Sequence, residues 1–253
     1  MIYDLQRASM WKRLSAALFD SILLGVAAVL FMWLLSVALG FDTHYQTMTD
    51  AYARYGEEYG INLNPGLSEY EAMSESEVER LNEAYAALSA DSEAMYAYNM
   101  LLNLSLTITS LGILLAYLVM EFTLPMCFKN GQTIGKKIFG IGLMRSDGVK
   151  ITGSGLFARS FLGKYTICTM IPVLIVIMIF FGMLGRIGTV ILALIALLQL
   201  ILLLATRNHT PIHDLFASSV CIDVGSQLIF DTYDDMIAYK KKIHAEQAAK
   251  ADY

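Results

Sequence analysis

Four apolar runs constrain this chain more than anything else in it. Ser21–Gly40 and Met100–Met120 hold no charged side chain, and Thr166–Leu184 and Ile187–Ala205 are almost wholly aliphatic. A bilayer core takes about 20 apolar residues of helix, and a backbone in lipid must satisfy its own hydrogen bonds. The expected fold class is an all-α membrane protein, a bundle of four transmembrane helices. Only G-R-I-G around Arg186 separates the last two runs, which predicts a tight helical hairpin. The first run exceeds the ~7–15 apolar residues of a secretory leader, and no A-x-A site comes after it. It is expected to be a retained helix. Charged residues make up 16% of the chain, against about 25% in soluble domains, which agrees with a membrane protein.

Basic residues in short flanks set orientation. Arg7, Lys12 and Arg13 precede the first run. The stretch 125–164 carries seven basic residues (Lys129, Lys136, Lys137, Arg145, Lys150, Arg159, Lys164) against the single acid Asp147. Lys240, Lys241, Lys242 and Lys250 come after the last run, whereas Phe41–Ala97 holds twelve acids and only Arg54 and Arg80. The expectation is a multi-pass cell-membrane protein with both termini cytoplasmic. The chain then divides into 1–40, the N-terminus and first membrane helix; 41–97, an acidic extracytoplasmic helical hairpin; 98–124, the second membrane helix; 125–164, a basic cytoplasmic loop; 165–224, the third and fourth membrane helices; and 225–253, a cytoplasmic tail.

Within 41–97, Tyr45, Met48, Tyr52, Tyr55 and Tyr59 recur at helical spacing. N-P-G-L at Asn64–Leu67 breaks the chain, and Ser68 with Glu71 and Ser74 with Glu77 read as capping boxes. Val78, Leu81, Tyr85 and Leu88 form a second stripe. Two helices packed through a tyrosine seam are expected, with a partner-binding surface as the other use of the seam. The tail from Leu228 reads as a short amphipathic helix with weak attraction to anionic lipid.

Polar residues inside the runs are the candidate functional groups. Asn99, Asn103, Thr107, Ser110, Tyr117 and Glu121 share one α-helical face, which should turn towards the bundle or a wet cavity rather than lipid. Gln199 and Thr206 are placed to meet that stripe. Arg13 and Asp20 also share a face, but seven residues of helix rise about 10 Å. They are too far apart for a direct pair, so the partner of Asp20 should come from another segment. Asp214, with Arg207 or Lys136 nearby, is the expected complement of this pair.

The loop reads K-N-G-Q-T-I-G-K-K-I-F-G-I-G-L-M-R-S-D-G-V-K. Asp147-Gly148 signals a short β-hairpin. G-Q-T-I-G-K-K is no phosphate loop, because three residues rather than four separate the glycines and Lys137 replaces the Ser or Thr. Three blocks, W-K-R-L-S-A-A-L-F-D, N-G-Q-T-I-G-K-K-I-F-G-I-G-L-M-R-S-D-G and R-N-H-T-P-I-H-D-L-F-A-S-S-V-C-I-D-V, resemble the RDD family of membrane proteins. The resemblance covers residues 8–40 and about 99–224. It implies that Arg13, Asp20 and Asp214 are the family's arginine and two aspartates. It also implies that Gly131, Thr133, Gly135 and Lys136 form its glycine-x-threonine-x-glycine-lysine motif. Ser218-Ser219 departs from the family's usual glycine-threonine pair, so the turn there is expected to differ. Cation/proton antiport has been suggested for some members, and others look like accessory subunits.

No metal is expected: Pro211 interrupts any helix that would align His209 and His213 beside Asp214, and no cysteine adjoins them. Cys127, Cys168 and Cys221 are too scattered for a disulfide framework. No catalytic motif appears, so the chain is not expected to be an enzyme, to hold a cofactor or to bind nucleic acid. The expected partners are the lipid bilayer, a protein partner or a second copy, and a monovalent cation or proton. Two functions stand side by side. One is a scaffold or accessory subunit in which Arg13, Asp20 and Asp214 form an electrostatic lock. The other is a cation/proton exchanger in which Asp20 and Asp214 carry the ion, Arg13 tunes them, and the stripe ending at Glu121 is the path. The absence of an inverted repeat favours the scaffold.

Overall fold

The computed structural model describes residues 5–180, 182–206 and 211–251. Four of its helical stretches are long and apolar enough to cross a membrane: Met10–Ala38, Ser92–Cys127, Gly153–Ile179 and Gly185–Ala205. The chain forms two compact units, Met1–Ala27 with Leu114–Tyr253, and Ala28–Ile113.

The helix α1 (Met10–Ala38) begins well before the apolar run, so Arg13 and Asp20 lie within it. In the Ala28–Ile113 unit, α2 (Phe41–Tyr59), α3 (Leu67–Glu71) and α4 (Glu75–Ala90) precede α5 (Ser92–Tyr117). Met48 and Ala51 of α2 pack with Ala84 and Leu88 of α4 and with Leu63 between them, and Tyr52, Tyr55 and Tyr59 lean on that core. Apolar positions three and four apart put these residues on facing stripes. Tyr45 stays 58% exposed. The Ser74–Glu77 capping box forms, with the Ser74 N–H donating to Glu77 Oε2 at 2.8 Å. The expected Ser68–Glu71 box does not form, and only a single side-chain-to-backbone bond caps the helix two residues earlier. There Glu69 accepts from the Gly66 N–H at 3.3 Å, because α3 begins at Leu67 and already contains Ser68.

In the other unit the second membrane helix opens into a π-helical turn, Leu118–Thr123, before α6 (Leu124–Cys127). The short helix α7 (Ile134–Ile138) leads to β1 (Ile141–Arg145). The third membrane helix starts with α8 (Gly153–Phe157), continues as a π-helical stretch, Ala158–Met170, and ends as α9 (Ile171–Phe180). It therefore begins at Gly153 rather than near Thr166 and takes in Arg159 and Lys164, which hydropathy assigns to the loop. Then come α10 (Gly185–Ala205), α11 (Ile212–Phe216), β2 (Ser219–Asp223) and α12 (Tyr233–Ala251).

The expected local β-hairpin forms as a single antiparallel bridge, Met144 to Lys150, and the longer pairing of its first strand is made elsewhere. The turn at Asp147-Gly148 exists, and the Arg145 N–H donates to the Val149 carbonyl at 2.9 Å. However, the strand that pairs with β1 is β2, antiparallel, with Leu143 opposite Cys221. Gln6–Ala8 covers the far edge of β2 through Asp223 N–H to Gln6 O at 3.0 Å and Ala8 N–H to Cys221 O at 3.2 Å. Paired on both sides, β2 buries Val220, Cys221 and Ile222, and Ile141, Leu143, Ile151 and Leu156 complete a core with Ala8 and Ala16 of the N-terminal segment. Ser218 enters β2 with a left-handed φ of 46°, a conformation that glycine adopts at less cost.

Candidate functional site

Asp20 is 8% exposed and is held by the loop motif. Its Oδ1 accepts from the Gly135 N–H at 2.8 Å, and its Oδ2 from the Thr133 hydroxyl. Thr133 also caps α7, accepting from the Lys136 N–H. Gly135 is required at this spot. A Cβ there would lie 2.6 Å from the Ala16 carbonyl oxygen and 2.8 Å from Asp20 Oδ1. Gly131 turns the chain with φ 58° so that the Gln132 side chain can donate to the Ile141 carbonyl at 2.7 Å. Among the described residues, the hydrogen-bond donors to Asp20 are thus a hydroxyl and an amide.

Asp214, 1% exposed, is the centre of a second set. Its Oδ1 accepts from Arg159 Nε at 2.7 Å and from the Ser219 hydroxyl at 2.9 Å, and Arg13 Nη2 lies 3.9 Å from its Oδ2. Burial works to raise the Asp214 pKa, but the Arg159 guanidinium prevails and holds the carboxyl well below its usual range. Ser219 supplies a hydroxyl where the family pattern has threonine. His213, beside Asp214, is pushed down to about 3, chiefly by burial, and is neutral at physiological pH. Its backbone is pressed against Gly163, where a Cβ would lie 2.5 Å from His213 Cα. That contact seats α11 on the third membrane helix.

Glu121 forms the third set. Lys164 Nζ pairs with its Oε1 at 2.5 Å, and the Ser160 hydroxyl donates to its backbone carbonyl at 2.6 Å. Two buried polar atoms have no hydrogen-bond partner among the described residues: Glu121 Oε2 and Lys136 Nζ. Burial first, then the positive charges of Arg159 and Lys164, lower the Lys136 pKa to about 8. A cavity of about 420 Å³ is lined by Arg13, Asp20, Lys136, Arg159, Lys164 and Asp214. A second, of about 360 Å³, is lined by Asp20, Tyr117, Glu121, Lys164, Cys168 and Gln199.

The polar stripe is not buried along its length. Asn99, Asn103 and Thr107 are exposed, and the Ser110 hydroxyl donates to carbonyls of its own helix, Leu106 at 2.8 Å and Thr107 at 3.2 Å. Only Tyr117 and Glu121 are buried. Asn99 to Tyr117 all lie in α5, ahead of the π-helical turn, and keep their common α-helical face; only Glu121 falls inside the turn, whose i→i+5 bonding shifts it off that face. Gln199 reaches Cys168 Sγ at 3.0 Å and the Ile212 N–H at 3.4 Å, and the Thr206 hydroxyl donates to Leu202 of its own helix at 2.6 Å. Arg207 and His209 lie outside the described residues. Among the described residues no three metal-ligating side chains converge.

Arg159, Lys164 and Ser219 are the site residues that sequence reasoning missed. Arg159 and Lys164 are five apart, so they are splayed on an α-helix but aligned on a π-helix. Their one sequence signal is R-S-F-L-G-K running without a breaker into an aliphatic run. The model of the RDD family matches residues 7–218. No curated protein and no solved structure matches the chain.

Proposed function

The chain belongs to the RDD family of membrane proteins, and we propose that this protein is a scaffold or accessory subunit that transports nothing itself. Its charge cluster would fix the loop motif and the two-stranded sheet to the cytoplasmic ends of the membrane helices. One observation carries this reading: both oxygens of Asp20 are already occupied, by the Gly135 amide and the Thr133 hydroxyl. An exchanging carboxylate must release its ligands to take a proton or cation, and these donors are built into the backbone turn that α7 starts from. Asp214 is likewise engaged, its Oδ1 by Arg159 and Ser219 and its Oδ2 by the more distant Arg13. Breaking a buried ion pair from one side costs about 3–5 kcal/mol, which suits a clamp.

In this proposal the acidic 41–97 segment faces the opposite side of the membrane and serves as the docking surface for a protein partner. Its acids and the exposed Tyr45 support that assignment. A cation/proton exchanger is the rival reading, and the unpartnered Glu121 Oε2 in the smaller cavity favours it. Proteoliposomes loaded with a pH dye and challenged with Na⁺ or K⁺ separate the two. The expected result is no proton flux, together with a clear drop in melting temperature for Asp214→Asn and Arg159→Met in detergent. Wild-type flux abolished by Asp20→Asn would assign the cluster to exchange instead.

A further inference from the structure

The larger cavity has more cation than the protein itself uses. Its walls carry Arg13, Lys136, Arg159 and Lys164 against Asp20 and Asp214. Glu121 takes up Lys164, Asp214 takes up Arg159 and Arg13, and Asp20 is satisfied by neutral donors. Lys136 is left over. It is 7% exposed, and its Nζ has no hydrogen-bond partner among the described residues. A buried ammonium without a partner is costly and is ordinarily paired. Its alkyl stem does not explain its place either, since a methionine would fill the same space without a charge.

One wall of the same cavity is apolar and reaches the surface. Met10, Trp11 and Leu14 of α1 line it together with Leu203 of α10. Trp11 is 77% exposed and Leu14 60%, on helices of membrane-spanning length. Trp beside an apolar run is the usual marker of the headgroup level of a bilayer. At about 420 Å³ the cavity lies within the range of small-molecule sites. A soluble anion would have to pass these apolar side chains, whereas a lipid would leave its acyl chains against them and place only its head inside.

We propose that this cavity binds the phosphate of an anionic membrane phospholipid, with Lys136 Nζ as the donor that recognises it and Met10, Trp11, Leu14 and Leu203 seating the start of its acyl chains. A phosphodiester carries one negative charge, and the four cations Arg13, Lys136, Arg159 and Lys164 exceed the three carboxylates Asp20, Glu121 and Asp214 by one. Its oxygens would accept the charge-assisted hydrogen bonds that Lys136 lacks. The proposal rests on the cluster being a fixed clamp, since the cavity keeps its shape only while Asp20 and Asp214 stay engaged.

The test uses the full-length protein in neutral detergent, with phosphatidylglycerol, phosphatidylcholine of the same acyl chains, or inorganic phosphate added. Phosphatidylglycerol should raise the melting temperature by several degrees and phosphatidylcholine should not, and Lys136→Met should weaken the apparent affinity at least fivefold. Equal shifts from the two lipids, or an undiminished phosphatidylglycerol effect in Lys136→Met, would overturn the proposal. Stabilisation by inorganic phosphate at the same concentrations would overturn the lipid as its source. Should Lys136→Met not fold, a Trp33→Phe protein leaves Trp11 as the sole tryptophan. Brominated phosphatidylglycerol should then quench it at least twofold more than brominated phosphatidylcholine, and equal quenching refutes the site. The clamp is read separately. A wild-type melting temperature for Asp214→Asn in lipid-free detergent would sink the clamp, whereas failure of the lipid arms alone leaves it standing.

Discussion

Lys136 and His213 are buried in their uncharged or uncompensated states, and both make stability depend on pH with a fixed sign. Lys136 has a folded pKa of about 8 against an ordinary value of 10.5. Between those values the unfolded chain holds a proton that the folded chain has lost, so stability rises with pH from about 8 to 10.5. The gain is about 3 kcal/mol. His213, at about 3 against 6.5, works the same way at acid pH, where stability falls as pH drops from 6.5 towards 3. Melting temperatures in lipid-free detergent should therefore climb between pH 8 and 10.5 in the wild type and lose that climb in Lys136→Met. A flat wild-type profile, or a slope kept by the variant, counts against the uncompensated ammonium. Sequence reading found Arg13, Asp20 and Asp214 at this scale through motif resemblance. It missed Arg159 because a cation beside an aliphatic run reads as the end of that run, and only the nearby Asp214 makes it tolerable inside.

At the scale of elements, α7 has five residues, far below the length at which a helix holds itself in water. It forms because Thr133 caps it and Asp20 fastens its first turn to α1. The glycine of the motif is explained by that docking, which brings backbone against backbone. Gly135→Ala should push α7 off α1 and cost about 1–3 kcal/mol, read as a lower melting temperature in detergent. Gly25→Ala, in α1 with nothing within 4 Å of its would-be Cβ, is the control that should be neutral or stabilising. Equal effects from both would show that α7 has slack that the present contacts deny. The π-helical stretches at Leu118–Thr123 and Ala158–Met170 belong to this scale too. They carry Glu121 and Lys164, and a face drawn at 3.6 residues per turn cannot track them.

For the protein in its entirety, the segregation of charge predicts a sidedness that labelling can test. Basic flanks lie at both ends of the chain and around the loop motif, and twelve acids lie in 41–97. In a Cys127→Ser background, an impermeant maleimide added to intact cells should label Ser76→Cys and leave Thr232→Cys unlabelled until the cells are opened. The reverse pattern would place the charge cluster and the tail outside. The chain folds as two compact units. One holds the helical hairpin with its tyrosines, and the other holds the family's three charged residues, the motif and the sheet.

Four membrane helices, the helical nature of 41–97 and the set Arg13, Asp20 and Asp214 were all legible in the linear chain. They rest on local quantities: apolar run length, helical spacing and a linear motif. That Arg13 and Asp20 are too far apart along one helix to pair was legible too, since helix rise alone settles it. Which residues answer them emerged only from the packing of distant segments. Thr133 and Gly135 reach Asp20 from a loop more than a hundred residues away. Arg159 reaches Asp214 from inside a membrane helix, and β1 finds its full-length partner in β2, far along the chain. Hydropathy assigns a charge to water or to lipid by its own chemistry. Burial depends on the partner, and the partner is fixed by how distant segments pack.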